Sequence, residues 1–276
     1  MPNIITKYFR IVLAFLVLLL AVTANAQDSS IIDLSRASTV KLISKSGNSS
    51  GSGFFIDSQH ILTCFHVIAK LSIEDKTVHW SVYSDLQAIL PSGEIIDATV
   101  VSLPTQTHLA PLVMDFALVK LKAPPSQLPT TLALATDKEA LKVGDDVLFS
   151  GYPLATPGMV TPRGMVSGFD SSESLIFVQA SINKGNSGGA LLNSKGHVVG
   201  LVSMREGGIS RGLSELNSYI DKNTHHGSVQ IMGVDALQAT KAIIQTLDEY
   251  ISTGIGYARS VKYAREYLDT HKEQLK

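Results

Sequence analysis

The 276-residue sequence contains a single cysteine, Cys64. That excludes an internal disulfide and any zinc centre built from several thiolates. An excess of charge of one sign is also missing. Twenty-three basic side chains face 24 acidic ones, for a net charge of −1. Neither nucleic acid nor an anionic membrane is an implied partner on that balance. No apolar run is long enough for a membrane span of about 20 residues; the longest, Ile11 to Ala24, has fourteen. There is no internal repeat of solenoid length and no low-complexity block. What the chain does have is 45% apolar residues, enough to bury a sizeable core and to exclude disorder.

The N-terminus reads as an export signal. Lys7 and Arg10 form a basic region, Ile11 to Val22 is apolar, and Ala24-Asn25-Ala26 places small residues where a signal peptidase reads them. Residues 1–26 are therefore expected to be removed, leaving Gln27 first and no membrane anchor. Location is then periplasmic or secreted.

Beyond Gln27 the texture is short runs rich in Val, Ile, Phe and Tyr, separated by Gly, Pro, Asn, Asp and Ser at intervals of roughly ten residues. "TVKLIS", "GFFID", "DFALVKL", "SLIFVQASI" and "GHVVGLVS" are examples. This predicts an all-β barrel or sandwich. The Pro-rich "KAPPSQLPT" (Lys122–Thr130) reads as a connector between two β units, 27–125 and 126–234, with a long loop inside one barrel as the alternative. From Val234 onward the period changes to that of a helix. Ala239, Ile243, Leu247, Tyr250 and Ile251 recur at three- and four-residue steps, Asp235 can cap the start, and Gly254 offers a stop. A second helix is expected over Ala258 to Leu275, with Val261, Ala264 and Leu268 buried. The last unit, 235–276, is thus expected to be helical.

The stretch "SINKGNSGGALLN" fences Ser187 with glycines. Gly185-x-Ser187-x-Gly189 also describes the nucleophile elbow of α/β-hydrolases, but an elbow requires a helix after the serine. Here "GGALLNSKGHVVGLVS" reads as strand, turn and strand, which disfavours an esterase of that type. His66 follows the apolar "ILTCF", and Asp115 opens the apolar "FALVKL". Asp75, Asp85 and Asp97 are alternative acids, though none opens so apolar a strand. The order His66, Asp115, Ser187 is one of three unrelated orders known for a Ser-His-Asp triad.

"GSGFFIDSQHILTCFHVI", "MDFALVKL" and "GNSGGALLNSKGHVVGL" resemble the diagnostic blocks of trypsin-like, chymotrypsin-fold serine proteases, closest to the HtrA/Deg branch. "GSVQIMGVDALQATKAIIQTLDEY" resembles the last barrel strand and following helix of that branch. The resemblance implies two six-stranded antiparallel β-barrels with a C-terminal helical extension and the site between the barrels. It also implies the oxyanion hole within Gly185, Asn186 and Ser187, through the N–H groups of Gly185 and Ser187. Ser181 would lie at the base of the primary pocket, Lys184 at its entrance, and Ser203 along the substrate strand. An uncharged Ser181 implies no preference for Arg or Lys. Asn186 stands where digestive relatives carry an aspartate that pairs with a new N-terminal ammonium, so activation by that route is not expected. Only about 25 residues follow Tyr250, too few for the PDZ domains usual in the branch, and Arg205 to Gly227 has no counterpart in it.

In this reading His66 takes the Ser187 proton and Asp115 holds the imidazole in the right tautomer. The chain would be an exported serine endopeptidase acting on protein or peptide substrates bound as extended strands. It would need no cofactor and no metal; His225-His226 lacks a third ligand at useful spacing. The competing reading is a non-catalytic peptide-binding or chaperone-like module on the same scaffold.

Overall fold

In β1 (Thr39–Ser44) Val40 and Leu42 are fully buried while Lys41 and Ile43 are half-buried, the two-residue period of a strand with one face on a core. A computed structural model describes residues 8–9, 29–74, 77–102, 114–154, 156–172, 174–205, 216, 219–222, 230–231, 233–250 and 254–270. The expected export signal lies almost wholly outside them, as does the His225-His226 pair. A helix, α1 (29–38), precedes β1 and packs Ile31 into the core.

Seven strands and one helical turn follow β1 in the first half: β2 (Ser49–Phe55), β3 (His60–Thr63), α2 (Phe65–Ile68), β4 (Ala69–Glu74), β5 (Thr77–Val82), β6 (Leu86–Ile89), β7 (Ile95–Ser102) and β8 (Ala117–Leu121). Six of the strands close a barrel in the order β1-β2-β3-β8-β7-β6, all antiparallel. β4 and β5 form a separate hairpin that leaves the barrel immediately after α2. Phe54, Phe55, Leu42, Ile61, Leu62 and Leu118, from both faces of these strands, are buried in one hydrophobic cluster.

The second half contains β9 (Asp146–Leu148), β10 (Arg163–Phe169), β11 (Leu175–Gln179), β12 (Ala190–Leu192), β13 (Val198–Arg205), the short β14 (Gln230–Ile231) and β15 (Val234–Asp235), α3 (Ala236–Tyr250), β16 (Ile255–Ser260) and α4 (Val261–Thr270). The second barrel closes as β10-β11-β16-β13-β12-β9. Its core is Val147, Phe149, Val166, Ile176, Val178, Ile182, Leu191, Val202 and Ala258. Two six-stranded antiparallel barrels are thus present, as the resemblance implied. Between them, residues 122–130 carry no regular structure.

The C-terminal reading needs correction. The second barrel does not end at 234, and 235–276 is not a purely helical unit. The sixth barrel strand is β16, seated between β11 and β13. The strand-and-helix segment matched to the end of the family barrel is instead part of an excursion between β13 and β16. Two glycines explain why the sequence hid this strand. Gly254 has φ +79°, which turns the chain back. A Cβ on Gly256 would stand 2.4 Å from Ile182 Cδ1, so the strand can lie against Ile182 only where no side chain intervenes.

Within α3, the Asp235 cap forms: its carboxylate accepts from the N–H groups of Leu237 (2.9 Å) and Gln238 (3.1 Å). Ile244 is buried and the expected Ile243 is exposed, while the side chains of Leu247, Tyr250 and Ile251 lie outside the described residues. α4 buries Val261, Ala264 and Leu268 as expected, but starts three residues later because Ala258 to Ser260 belong to β16. Among the described residues no helix is long and apolar enough to cross a membrane.

Candidate active site

The first barrel supplies His66 and Asp115. β3 runs fully buried into Cys64, which precedes α2, and the helical turn then lifts His66 to the surface between buried Phe65 and Val67. Asp115 sits two residues before β8 with φ +37°, a left-handed conformation that non-glycine residues seldom adopt. The strained backbone turns its carboxylate back onto α2. Its Oδ1 accepts from the His66 main-chain N–H at 3.2 Å, and both oxygens stand 3.0 Å from His66 Nδ1. An ionised carboxylate only accepts, so Nδ1 carries the proton and Nε2 is left as a base. Ser203 Oγ donates to Oδ2 in a short hydrogen bond.

The charges follow from the packing. Burial works to raise the Asp115 pKa, but His66 and the hydrogen bonds from His66 and Ser203 outweigh it and hold the carboxyl below its usual range. At His66 burial works to lower the pKa. The adjacent Asp115 charge and hydrogen bond overcome it, with Arg259 opposing, and the net result lies above 6.5. The two shifts agree as the two ends of one ion pair must.

The second barrel supplies Ser187 from the loop that enters β12. This loop is clamped to the first barrel. Ser52 N–H donates to the Ser187 carbonyl at 2.8 Å, Ser52 Oγ donates to the Gly185 carbonyl at 2.7 Å, and Tyr152 N–H donates to Ser52 Oγ at 3.0 Å. Gly188 N–H donates to the Val202 carbonyl at 2.7 Å. Two glycines are required here. A Cβ on Gly188 (φ +87°) would fall 2.0 Å from the Ser52 carbonyl and 3.1 Å from Cys64 N. A Cβ on Gly185 (φ +97°) would fall 2.2 Å from the Tyr152 carbonyl. The Ser187 loop therefore lies directly against the residues that introduce α2.

The structure joins His66 to Asp115 but does not hydrogen-bond Ser187 to His66. The Ser187 hydroxyl donates instead to the Ser203 carbonyl at 2.7 Å. Of the three residues expected at the oxyanion hole, Asn186 has its N–H committed to the Asn183 carbonyl at 3.0 Å. The N–H groups of Gly185 and Ser187 have no acceptor among the described residues. Both polar atoms of the buried Asn186 side chain also lack a partner among the described residues.

Ser181 and Lys184 are exposed on the approach to the Ser187 loop, and neither lines a buried pocket floor. Ile182, between them, is the residue that turns inward against Gly256. Ser203 is buried, and its side chain serves Asp115, leaving its carbonyl toward Ser187. From the sequence, Ser203 is expected only beside a substrate, and Ser52, within the "GSGFF" block, carries no local signal of its contacts to the Ser187 loop. A concavity of about 410 Å³ lies elsewhere, between residues 135–141 and the start of α4. It contains none of the site residues, and a chain bound as an extended strand needs a groove instead of a cavity.

A trypsin-like peptidase domain family model matches residues 51–201. Among curated proteins, the chain is 36% identical over 179 residues to a probable periplasmic serine endoprotease DegP-like of Pseudomonas putida, covering 62% of this chain and 32% of that protein. It is 34% identical over 162 residues to the periplasmic pH-dependent serine endoprotease DegQ of Escherichia coli, covering 55% and 30%. The chain spans about a third of the length of the curated relatives it matches. Among solved structures, the inactive form of the Rv3671c protease of M. tuberculosis superposes with a TM-score of 0.54 at 18% identity, over 88% of this chain and 93% of that one. That likeness is one of fold.

Proposed function

Since the chain belongs to the trypsin-like peptidase domain family and has HtrA-type relatives, we propose that it is a serine endopeptidase with His66, Asp115 and Ser187 as its triad. The observation that carries this is the double anchoring of His66 on Asp115, by ring and by main chain, beside a serine loop clamped to the same barrel. A serine hydroxyl needs a base within reach. In the reaction the Ser187 hydroxyl leaves the Ser203 carbonyl and turns to His66 Nε2. That nitrogen takes its proton as Oγ attacks the substrate carbonyl. Asp115 stabilises the imidazolium that forms, and Nε2–H then protonates the leaving amine. Negative charge developing on the carbonyl oxygen is met by the N–H groups of Gly185 and Ser187; a donor of this kind is worth about 3–4 kcal/mol of barrier.

Substrates are protein or peptide segments bound extended along the end of β13, where the Ser203 carbonyl accepts a substrate N–H in place of the Ser187 hydroxyl. Ser181 and Lys184 border the entrance. No acid stands at 181, at the approach to the Ser187 loop, so a preference for Arg or Lys side chains has no counter-charge there. Export rests on Lys7, Arg10 and the apolar run before Ala26, together with relatives named as periplasmic. Mass spectrometry of the secreted chain should find Gln27 at its N-terminus.

The bond from Ser187 to the Ser203 carbonyl is the observation that favours the second reading, a peptide-binding module without catalysis. A fluorophosphonate probe decides between them. Labelling of the wild type and not of Ser187→Ala supports the peptidase; a folded wild type that is never labelled, with or without added peptide, supports the module.

A further inference from the structure

Cys64 takes no part in the chemistry above, yet it lies at its base. It precedes α2 two residues before His66, is fully buried, and its thiol donates to the Val202 carbonyl at 3.3 Å. One ligand atom each from Cys64, His66 and Asp115 lie within 4.8 Å of one another. Among the described residues this is the one group of three such side chains that gathers so closely.

We propose that Cys64, His66 and Asp115 bind a thiophilic divalent cation, with Zn²⁺ the best fit, and that its binding switches the peptidase off. The site stands on the geometry alone; its inhibitory effect rests on the triad reading above. A thiolate, an imidazole and a carboxylate are a donor set suited to zinc, with water in the fourth position. Tetrahedral ligands at about 2.0–2.3 Å from the ion stand roughly 3.5 Å apart. His66 Nδ1 and the Asp115 oxygens, 3.0 Å apart, must open slightly to admit the ion, while the Cys64 sulfur, within 4.8 Å of both, must close in by on the order of 1 Å. The ion enters from the cleft, where His66 is part-exposed.

The proton balance gives the effect. The thiol proton leaves to solvent, and the sulfur binds as thiolate. The imidazole proton moves through solvent from Nδ1 to Nε2, freeing Nδ1 for the metal. With Nε2 protonated, His66 has no lone pair for the Ser187 proton. The dication also compensates the two negative charges gathered in a buried place.

The test uses the full mature chain with Zn²⁺ and Co²⁺ as probes. Co²⁺ should give a thiolate-to-metal charge-transfer band in the wild type that is absent in Cys64→Ala and Cys64→Ser. Zn²⁺ should slow fluorophosphonate labelling of the wild type reversibly on chelation. Cys64→Ser and Cys64→Ala should label normally without metal and need at least about tenfold more Zn²⁺ for the same inhibition, the scale on which loss of even an outer partner weakens a metal site. The variant His225→Ala/His226→Ala should be inhibited like the wild type. Two variants at position 64 guard against a folding defect in either. No cobalt–thiolate band, or equal zinc sensitivity with and without Cys64, would overturn the proposal. A wild type that shows the band but is never labelled, even free of metal, would overturn the peptidase reading and leave the metal site standing.

Discussion

Replacing Asp115 by asparagine preserves size and removes one charge, and the consequences can be worked from the contacts. The carboxylate receives the His66 main-chain N–H, the Nδ1–H at 3.0 Å to each oxygen, and the Ser203 hydroxyl. An amide at 115 turns one of those acceptors into a donor. When that NH₂ faces Nδ1, the imidazole must carry its proton on Nε2, the wrong tautomer for a base. A loss of about 10⁴-fold in reaction rate is expected on this ground, equivalent to about 5.4 kcal/mol of barrier. The pH dependence supplies a second reading. Only neutral His66 works as base, so activity is present above its folded pKa and lost as pH falls through it. In the wild type that limb lies above 6.5, because the Asp115 charge and hydrogen bond overcome burial. Without the charge, burial and Arg259 remain, and both favour neutral imidazole. The limb of Asp115→Asn should therefore move down, below its position in the wild type. The assay is the second-order rate of fluorophosphonate labelling from about pH 5 to about pH 9, the range in which histidine titrates. Labelling within tenfold of the wild type, with the acid limb unmoved, would refute the assignment of Asp115 to His66.

Other consequences are open to measurement. Gly188→Ala places a Cβ against the Ser52 carbonyl at φ +87°. The left-handed backbone and the overpacking together should cost about 3 kcal/mol, lowering Tm by roughly 6–12 °C; an unchanged Tm would mean the loop is not held where the structure has it. Ser52→Ala removes the hydroxyl that links Gly185 to Tyr152 across the barrels. Chemical denaturation should show a loss of about 1–3 kcal/mol. Glu139 accepts from His197 and from Thr136 N–H, and its pKa is lowered to about 2, the Thr136 bond being the largest cause. A depressed carboxylate contributes stability above its unfolded pKa and loses it as pH falls through the folded value. Glu139→Gln should thus lower Tm above about pH 4.5 and converge with the wild type near pH 2. Digestion of a peptide library by the mature chain should show no clustering of cuts after Arg or Lys; such clustering would disprove the expectation drawn from the uncharged Ser181.

The sequence by itself determined the β texture and pointed to His66, Asp115 and Ser187 as the candidate triad. Alternating apolar residues, turn residues between them, and glycines that tolerate positive φ are local signals, and the chain obeys them in β1, in β11 and at Gly188. It also encoded the Asp235 cap and the buried stripe Val261, Ala264, Leu268, since both depend on neighbours within a few residues. Only the tertiary structure decided that Ile255–Ser260 is a barrel strand, because Gly256 is defined by Ile182, which lies 74 positions earlier. Likewise only the fold directs the Ser203 hydroxyl to Asp115, rests the Ser187 hydroxyl on the Ser203 carbonyl, and gathers Cys64 with the two residues it borders. A side chain's chemistry is written in its residue type, but its hydrogen-bond partner is chosen by whatever the packed barrels bring within 3 Å, and no local pattern carries that choice.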